Sequence, residues 1–391
     1  MGIFGRTNAN ESAKPARRPN ARTTPLAVPS SSSTPETRPA LSEAQLAQYH
    51  NVLNYLRSSE HGLTLTDTEQ FYLSKEQILR FCRATKWDIS KTKSRIVTTL
   101  KWRRDYGVEK ITAEHIEPEA TTGKQVIFGF DNAQRPCLYL FPGRQNTEVS
   151  PRQVQYLVWC LERVVDLMPI GVENLALLVN YKGSTGDKNP GIGQGREVLG
   201  ILQTHYVETL GRALVINIPF FVWGFFKLIT PFIDPLTREK LKFNEDLTLH
   251  VPRSQLDSDF GGEIVFDYVQ KDYWPTILKM SNEARSRKQD NWRKAGGGIG
   301  ISEDVMKGGT VESSGGGMAM AVEPHTSASA LPPGAGPTGS VEATTDSQQA
   351  SGTALVQQAN AERLSKEPIE AVYVPSTEHG PALAQVGKEI Q

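Results

Sequence analysis

The sequence is short of cysteine, of net charge and of any long apolar run. Its three cysteines, Cys82, Cys137 and Cys160, are odd in number and far apart. They offer no disulfide framework and no CxxC or zinc-ligand spacing, which points to a reducing compartment. Lysine plus arginine and aspartate plus glutamate both number 43, so no polyanion is implied and nucleic acid is not an expected partner. The oiliest stretch, Ala213 to Phe226, is broken by Asn217 and Pro219 and is too short to span a bilayer. No apolar segment of the secretory-leader kind follows Met1. Arg6 stands where an N-myristoylation pattern prefers serine or threonine. Catalytic patterns are missing too. Histidines such as His50, His61, His115, His205 and His250 are scattered, with no H-x-x-x-H, nucleophile elbow or paired-carboxylate motif. The expectation is a non-enzyme with no catalytic residue, no metal site and no cofactor, attached to membranes peripherally if at all.

What is present divides the chain into four parts. Residues 1–40 are rich in Pro, Ser, Thr, Asn and Arg and read as a disordered tail. Residues 281–391 carry Gly runs and Ala/Ser/Pro/Thr-rich sequence and read as a low-complexity disordered tail, with Ile369 to Val374 as one docking-like segment of unknown partner. Between them, 41–110 shows helical spacing: Leu46, Tyr49, Val52, Leu53 and Leu56, then Ile78, Leu79, Phe81 and Cys82, then Ile96, Val97, Leu100 and Trp102 up to Gly107. In 111–280 the period changes. Lys124–Phe130 and Pro136–Phe141 read as strands, Ser150–Met168 as a helix capped by Ser150, and Leu175–Tyr181 as a buried strand. A helix near Glu197–Thr209 and a strand Ala213–Ile218 follow. Strands alternating with helices predict an α/β domain with a mostly parallel sheet, preceded by a helical extension.

Three stretches invite a functional reading. GIGQGRE (Gly191 to Glu197) has phosphate-loop glycines but no following Lys-Ser/Thr pair, and reads as a connector. FFVWGFFKLI (Phe220 to Ile229) is apolar nearly all round, and as a helix it suits either a core or a hinged cover ending at Thr230-Pro231. PFIDPLTREKLKF (Pro231 to Phe243) reads as a short helix with Asp234 as cap and Pro235 at its first position. Thr237 and Lys240 then share a face near a helix N-terminus, which suits either a phosphate or a plain capped surface helix.

LRFCRATKWD, KWRRDYG, PGRQNT, ILQTHYVETLGRALVINIP, IDPLTREKL and LDSDFGG together resemble the CRAL-TRIO lipid-transfer family and its helical N-terminal extension. The likeness covers about 45 to 275 and is strongest to fungal phosphatidylinositol transfer proteins of the pleiotropic-drug-resistance type. The resemblance implies a CRAL-TRIO fold with a one-lipid cavity and a mobile gate helix bearing Phe220, Phe221, Trp223, Phe225 and Phe226. It assigns the phosphatidylinositol headgroup to Glu208, Asp234, Thr237 and Lys240, with Glu208 on inositol hydroxyls and Thr237 and Lys240 on phosphate. An arginine of the family's phosphate set falls on Thr85, leaving Arg83 or Lys86 as substitutes. Leu175 and Leu177 line the cavity where phosphatidylcholine carriers present hydroxyls, so the implied cargo is phosphatidylinositol, with sterol as the second. The implied role is transfer between membranes, or lipid sensing by a scaffold whose tails recruit partners. The implied location is the cytoplasm, at the endoplasmic reticulum, cell periphery and lipid droplets.

Overall fold

The computed structural model describes residues 18–185, 192–220, 222–224 and 235–310. Nearly all of these belong to one compact unit, Met1–Val222 with Leu236–Gly316. Of a second unit, Trp223–Pro235 with Gly317–Gln391, only residues 223, 224 and 235 are described.

Local chemistry accounts for the first four helices. α1 (Glu43–Arg57) starts at a capping box in which Ser42 and Gln45 satisfy each other's backbone N–H. α2 (Asp67–Tyr72) repeats the device with Thr66 and Glu69. Ser74 caps α3 (Lys75–Ala84), and Asp88 caps α4 (Ile89–Tyr106). Gly107, at φ +71°, takes the left-handed conformation that ends α4. The apolar faces of α1, α3 and α4 meet in one core through Leu56, Ile78, Phe81, Ile96 and Leu100.

After α5 (Ala113–Ala120) comes a five-stranded sheet in the order β1 (Gln125–Phe130), β2 (Pro136–Leu140), β3 (Leu175–Asn180), β4 (Leu210–Ile216), β5 (Leu241–Phe243). The first pair is antiparallel and the other three are parallel. α6 (Pro151–Leu167) makes the crossover from β2 to β3, and α7 (Ile192–His205) precedes β4. Long crossovers are what parallel neighbours require. α8 (Pro235–Lys240) leads into β5, and α9 (Gln270–Lys294) and α10 (Glu303–Met306) follow.

Four expectations are corrected. Residues 18–40 are not a free tail: Arg18 Nε donates to Asp267 at 2.7 Å, the Arg22 N–H donates to Val265 O at 2.8 Å, and Arg38 pairs with Glu173 at 2.6 Å. Composition arguments weigh apolar burial and miss a segment held by ion pairs and backbone bonds. Order also runs past 281, because α9 continues through buried Ala284 and Trp292, and α10 buries Glu303 and Asp304. Residues 311–391, including Ile369 to Val374, lie outside the described residues. From Ile192 the GIGQGRE stretch is the first turn of α7 rather than a connector. Packing of Val198, Ile201 and Leu202 on the main core outweighs the helix cost of its glycines, ~1 kcal/mol each. Finally, Ser150 holds the N-cap position of α6 but makes no side-chain cap: among the described residues its hydroxyl has no hydrogen-bond partner, and Pro151 opens the helix.

Candidate functional site

Across β2 to β5 the strand register builds one sheet face from apolar side chains, with Gln125 of β1 on its edge. Leu138, Leu177, Ala213 and Leu241 form one row across β2 to β5, and Leu140, Val179, Val215 and Phe243 form the next. Alternation places Leu175 on the same face, one step toward the start of β3. Ala213, Val215 and Leu175 are buried, whereas Leu140, Leu177, Leu241 and Phe243 are half-buried. The opposite face carries Arg212, Asn180 and Lys242 among its apolar residues. One face is therefore fit for hydrocarbon and the other is not.

Two charged residues stand at one end of this floor. Lys240 closes α8 and immediately precedes Leu241 of β5. Glu208 lies two residues before β4, in a turn where its φ is +56°. Both are half-buried, and among the described residues neither side chain has an ion-pair partner. At about 3.3 Å per residue and 4.8 Å between strands, their backbones lie within roughly 15 Å of each other. That is a span for two long side chains and one polar headgroup. Leu175 belongs to the same end, its N–H donating to Thr209 O at 2.9 Å. Asp234 and the side chain of Thr237 lie outside the described residues.

The turn bearing Glu208 is gripped by α4. Arg95 Nε donates to Thr204 O at 3.3 Å. The His205 ring stacks on Trp102, with centroids 4.0 Å apart and planes 5° from parallel, and its Nδ1 lies 3.1 Å from Thr99 Oγ1. Burial, with Arg95 and Arg103 nearby, lowers the His205 pKa to about 4. The folded protein thus refuses a proton that the unfolded chain accepts near pH 6.5. Stability from this ring is complete above pH 6.5 and drains away as pH falls toward 4. The loss is on the order of 3 kcal/mol at most, and roughly half that after solvent screening of a half-buried ring. Urea melts of wild type and His205→Gln between pH 7 and 4 should show the variant with the shallower decline. Parallel curves would remove His205 from the account.

Of the segment Phe220 to Ile229, Phe220 and 222–224 are helical. Phe220 is 92% exposed while Val222 is buried. Phe221, Phe225 and Phe226 lie outside the described residues, and Trp223 falls in the second unit. No described helix is long and apolar enough to cross a membrane, and no described His, Cys, Asp or Glu group could hold a metal ion.

Comparison with known proteins gives the family. The CRAL/TRIO domain model matches residues 120–262, and the CRAL/TRIO N-terminal domain model matches 48–98. A phosphatidylinositol transfer protein of Saccharomyces cerevisiae is 41% identical over 270 residues, covering 66% of this chain and 77% of that protein. The chain belongs to the CRAL-TRIO family. A CRAL-TRIO domain-containing protein of Schizosaccharomyces pombe is 52% identical over 278 residues; the match takes in 69% of this chain but only 28% of that longer relative. The SEC14 cytosolic factor of Kluyveromyces lactis is 28% identical over 59% of this chain and 81% of its own length.

Within this CRAL-TRIO chain the Thr85 position is spent on structure. Thr85 ends α3, and its hydroxyl meets Phe81 O at 3.0 Å and Thr92 Oγ1 at 2.6 Å. Arg83 is committed to Glu173 at 2.7 Å. Lys86 is exposed and has no ion-pair partner among the described residues, which leaves it as the available cation of this stretch. Sequence reasoning did not find β5, nor the grip of α4 on the Glu208 turn. A strand of three residues has too short a period to detect, and contacts between α4 and residues 203–209 leave no local pattern.

Proposed function

We propose that this chain binds phosphatidylinositol, one molecule at a time, and exchanges it between membranes without chemical change, with sterol as the alternative cargo. One observation carries the reading: a sheet face that is apolar across β2 to β5, with Glu208 and Lys240 at one end of it and without ion-pair partners among the described residues. Carboxylate oxygens accept from inositol hydroxyls, and an ammonium donates to phosphate. The floor suits acyl chains, whose exposure to water costs on the order of 20 kcal/mol or more at about 0.8 kcal/mol per CH₂. Such a cargo has to be covered in transit and released at a bilayer. Leu175 and Leu177 give a buried choline phosphate nothing to bond, so phosphatidylcholine is the poorer ligand. The relative named for phosphatidylinositol transfer supports the same reading.

The assignment extends to setting. We place the protein in the cytoplasm, peripherally on endoplasmic reticulum, cell periphery or lipid droplets, with phospholipid and sterol as partners and no nucleic acid or cofactor. Asp234, Thr237 and the aromatic residues from Phe220 to Phe226 keep their proposed roles as headgroup contacts and gate.

The test is lipid mass spectrometry of the purified chain, followed by vesicle-to-vesicle transfer. Lys240→Ala should weaken phosphatidylinositol binding about tenfold, the low end for a charge-assisted bond because the ammonium is half-buried. Melting temperature should stay put. Unchanged affinity would remove Lys240 from the site. Binding with no transfer would turn the exchanger into a lipid-sensing regulator.

A further inference from the structure

Glu208 occupies a conformation that its own side chain disfavours, so something else must hold the turn. The turn closes with the Thr209 N–H donating to Tyr206 O at 3.3 Å, and Thr209 Oγ1 donating to Val207 O at 3.3 Å. Its anchor is therefore Tyr206. The Tyr206 hydroxyl donates to Glu162 Oε1 of α6 at 2.7 Å. Glu162 is in turn gripped bidentately by Arg103 of α4, at 2.9 and 3.0 Å. Arg103 also donates to Glu109 at 2.6 Å and lies over the Tyr72 ring at 4.3 Å.

Tyr206 stands at the edge of a small cavity. A cavity of about 60 Å³ is lined by Tyr206, His205, Thr209, Glu162 and Arg103, among others. The ring packs in the core and meets Trp102 edge-on with centroids 6.2 Å apart, and the hydroxyl bond is its directional tie to α6. A simple core position would be served by phenylalanine, with no buried hydroxyl to satisfy. Glu162 needs no third donor for its charge, since Arg103 already binds both of its oxygens.

We propose that Tyr206 is a positioning residue for Glu208: tied through Glu162 to Arg103 of the helical extension, it fixes the turn that aims the Glu208 carboxylate at the inositol ring. The inference rests on the headgroup reading of Glu208. It gives Arg103 of the N-terminal helices a part in lipid selection that needs no contact between Arg103 and the lipid. Coupling of this kind needs a connected set of contacts, and the chain from α4 through α6 to the turn is one.

A double-mutant cycle on the full chain tests it, with phosphatidylinositol-containing vesicles as the probe and a thermal melt of each variant alongside. Tyr206→Phe should weaken phosphatidylinositol binding by roughly threefold to tenfold, and should have no further effect in a Glu208→Ala background. A purely structural tyrosine would cost the same factor in both backgrounds, and that additivity overturns the proposal. So does a Tyr206→Phe variant that binds as wild type. If Glu208→Ala itself binds normally, the headgroup reading falls and takes this inference with it. Should Tyr206→Phe melt far below wild type, Thr99→Ala loosens the same turn at His205 and supplies the same cycle.

Discussion

Glu208→Gly should make the protein more stable and a worse phosphatidylinositol binder at once. At φ +56° a side chain costs about 1 kcal/mol that glycine does not incur. Glycine's greater freedom in the unfolded chain returns part of this, leaving a gain of roughly 0.5 kcal/mol. On the proposed headgroup role, the variant loses the carboxylate's charge-assisted bonds to inositol hydroxyls, and affinity should fall by about tenfold to a hundredfold. Urea midpoints and vesicle binding, measured on the same preparation, separate the two effects. Strain at a site is retained when function uses it. A variant that loses stability and binding together would show Glu208 to be structural.

Glu303→Ala should be the most damaging single change in the described chain. Glu303 accepts from Arg80 Nη2 at 2.5 Å and Ser74 Oγ at 2.9 Å, and it pairs with Lys307 at 3.4 Å. Burial works to raise its pKa, but Arg80 and Lys307 hold it well below the ordinary carboxylate value. Its N–H donates to Glu76 at 2.6 Å, and the neighbouring Asp304 receives Arg38 at 2.5 Å. Removing the carboxylate leaves the buried Arg80 guanidinium with Gln77 Oε1 at 2.6 Å and only a long pair to Glu173 at 3.9 Å, at a cost of about 3 kcal/mol. Chemical denaturation should report a lowered midpoint with an unchanged slope. Arg80→Met combined with Glu303→Leu should recover part of the loss, since the guanidinium goes with its carboxylate while Lys307 keeps its bond to Val172 O at 2.7 Å. Full stability of the single variant would mean that α10 is dispensable, as the composition of that region alone would suggest.

The same residues separate what could be read along the chain from what could not. The spacing of Leu46 to Leu56, Ile78 to Cys82 and Ile96 to Trp102 announced three helices of the extension, because a helical period is local; the six-residue α2 was too short to be read that way. The apolar runs at Leu175 and Ala213 announced buried strands for the same reason of local period. Lys240 stood out by its neighbours Asp234 and Pro235. Glu208, by contrast, sits in an unremarkable polar turn and was found by resemblance alone. The ion pairs of Arg18 and Arg38 with Asp267, Glu173 and Asp304 join residues more than a hundred positions apart, and no window of sequence contains them.

The sequence by itself therefore determined the helical extension, the mostly parallel sheet and the apolar character of β3 and β4, since propensity, capping and period are properties of neighbouring residues. Only the tertiary structure decided that β5 joins the sheet with Lys240 at its start, that Glu208 stands at the same end of one apolar face, and that Tyr206, Glu162 and Arg103 hold it there. Register between parallel strands and the Arg103–Glu162 link between α4 and α6 are set by packing across the whole unit, and packing is not written in any one stretch of chain.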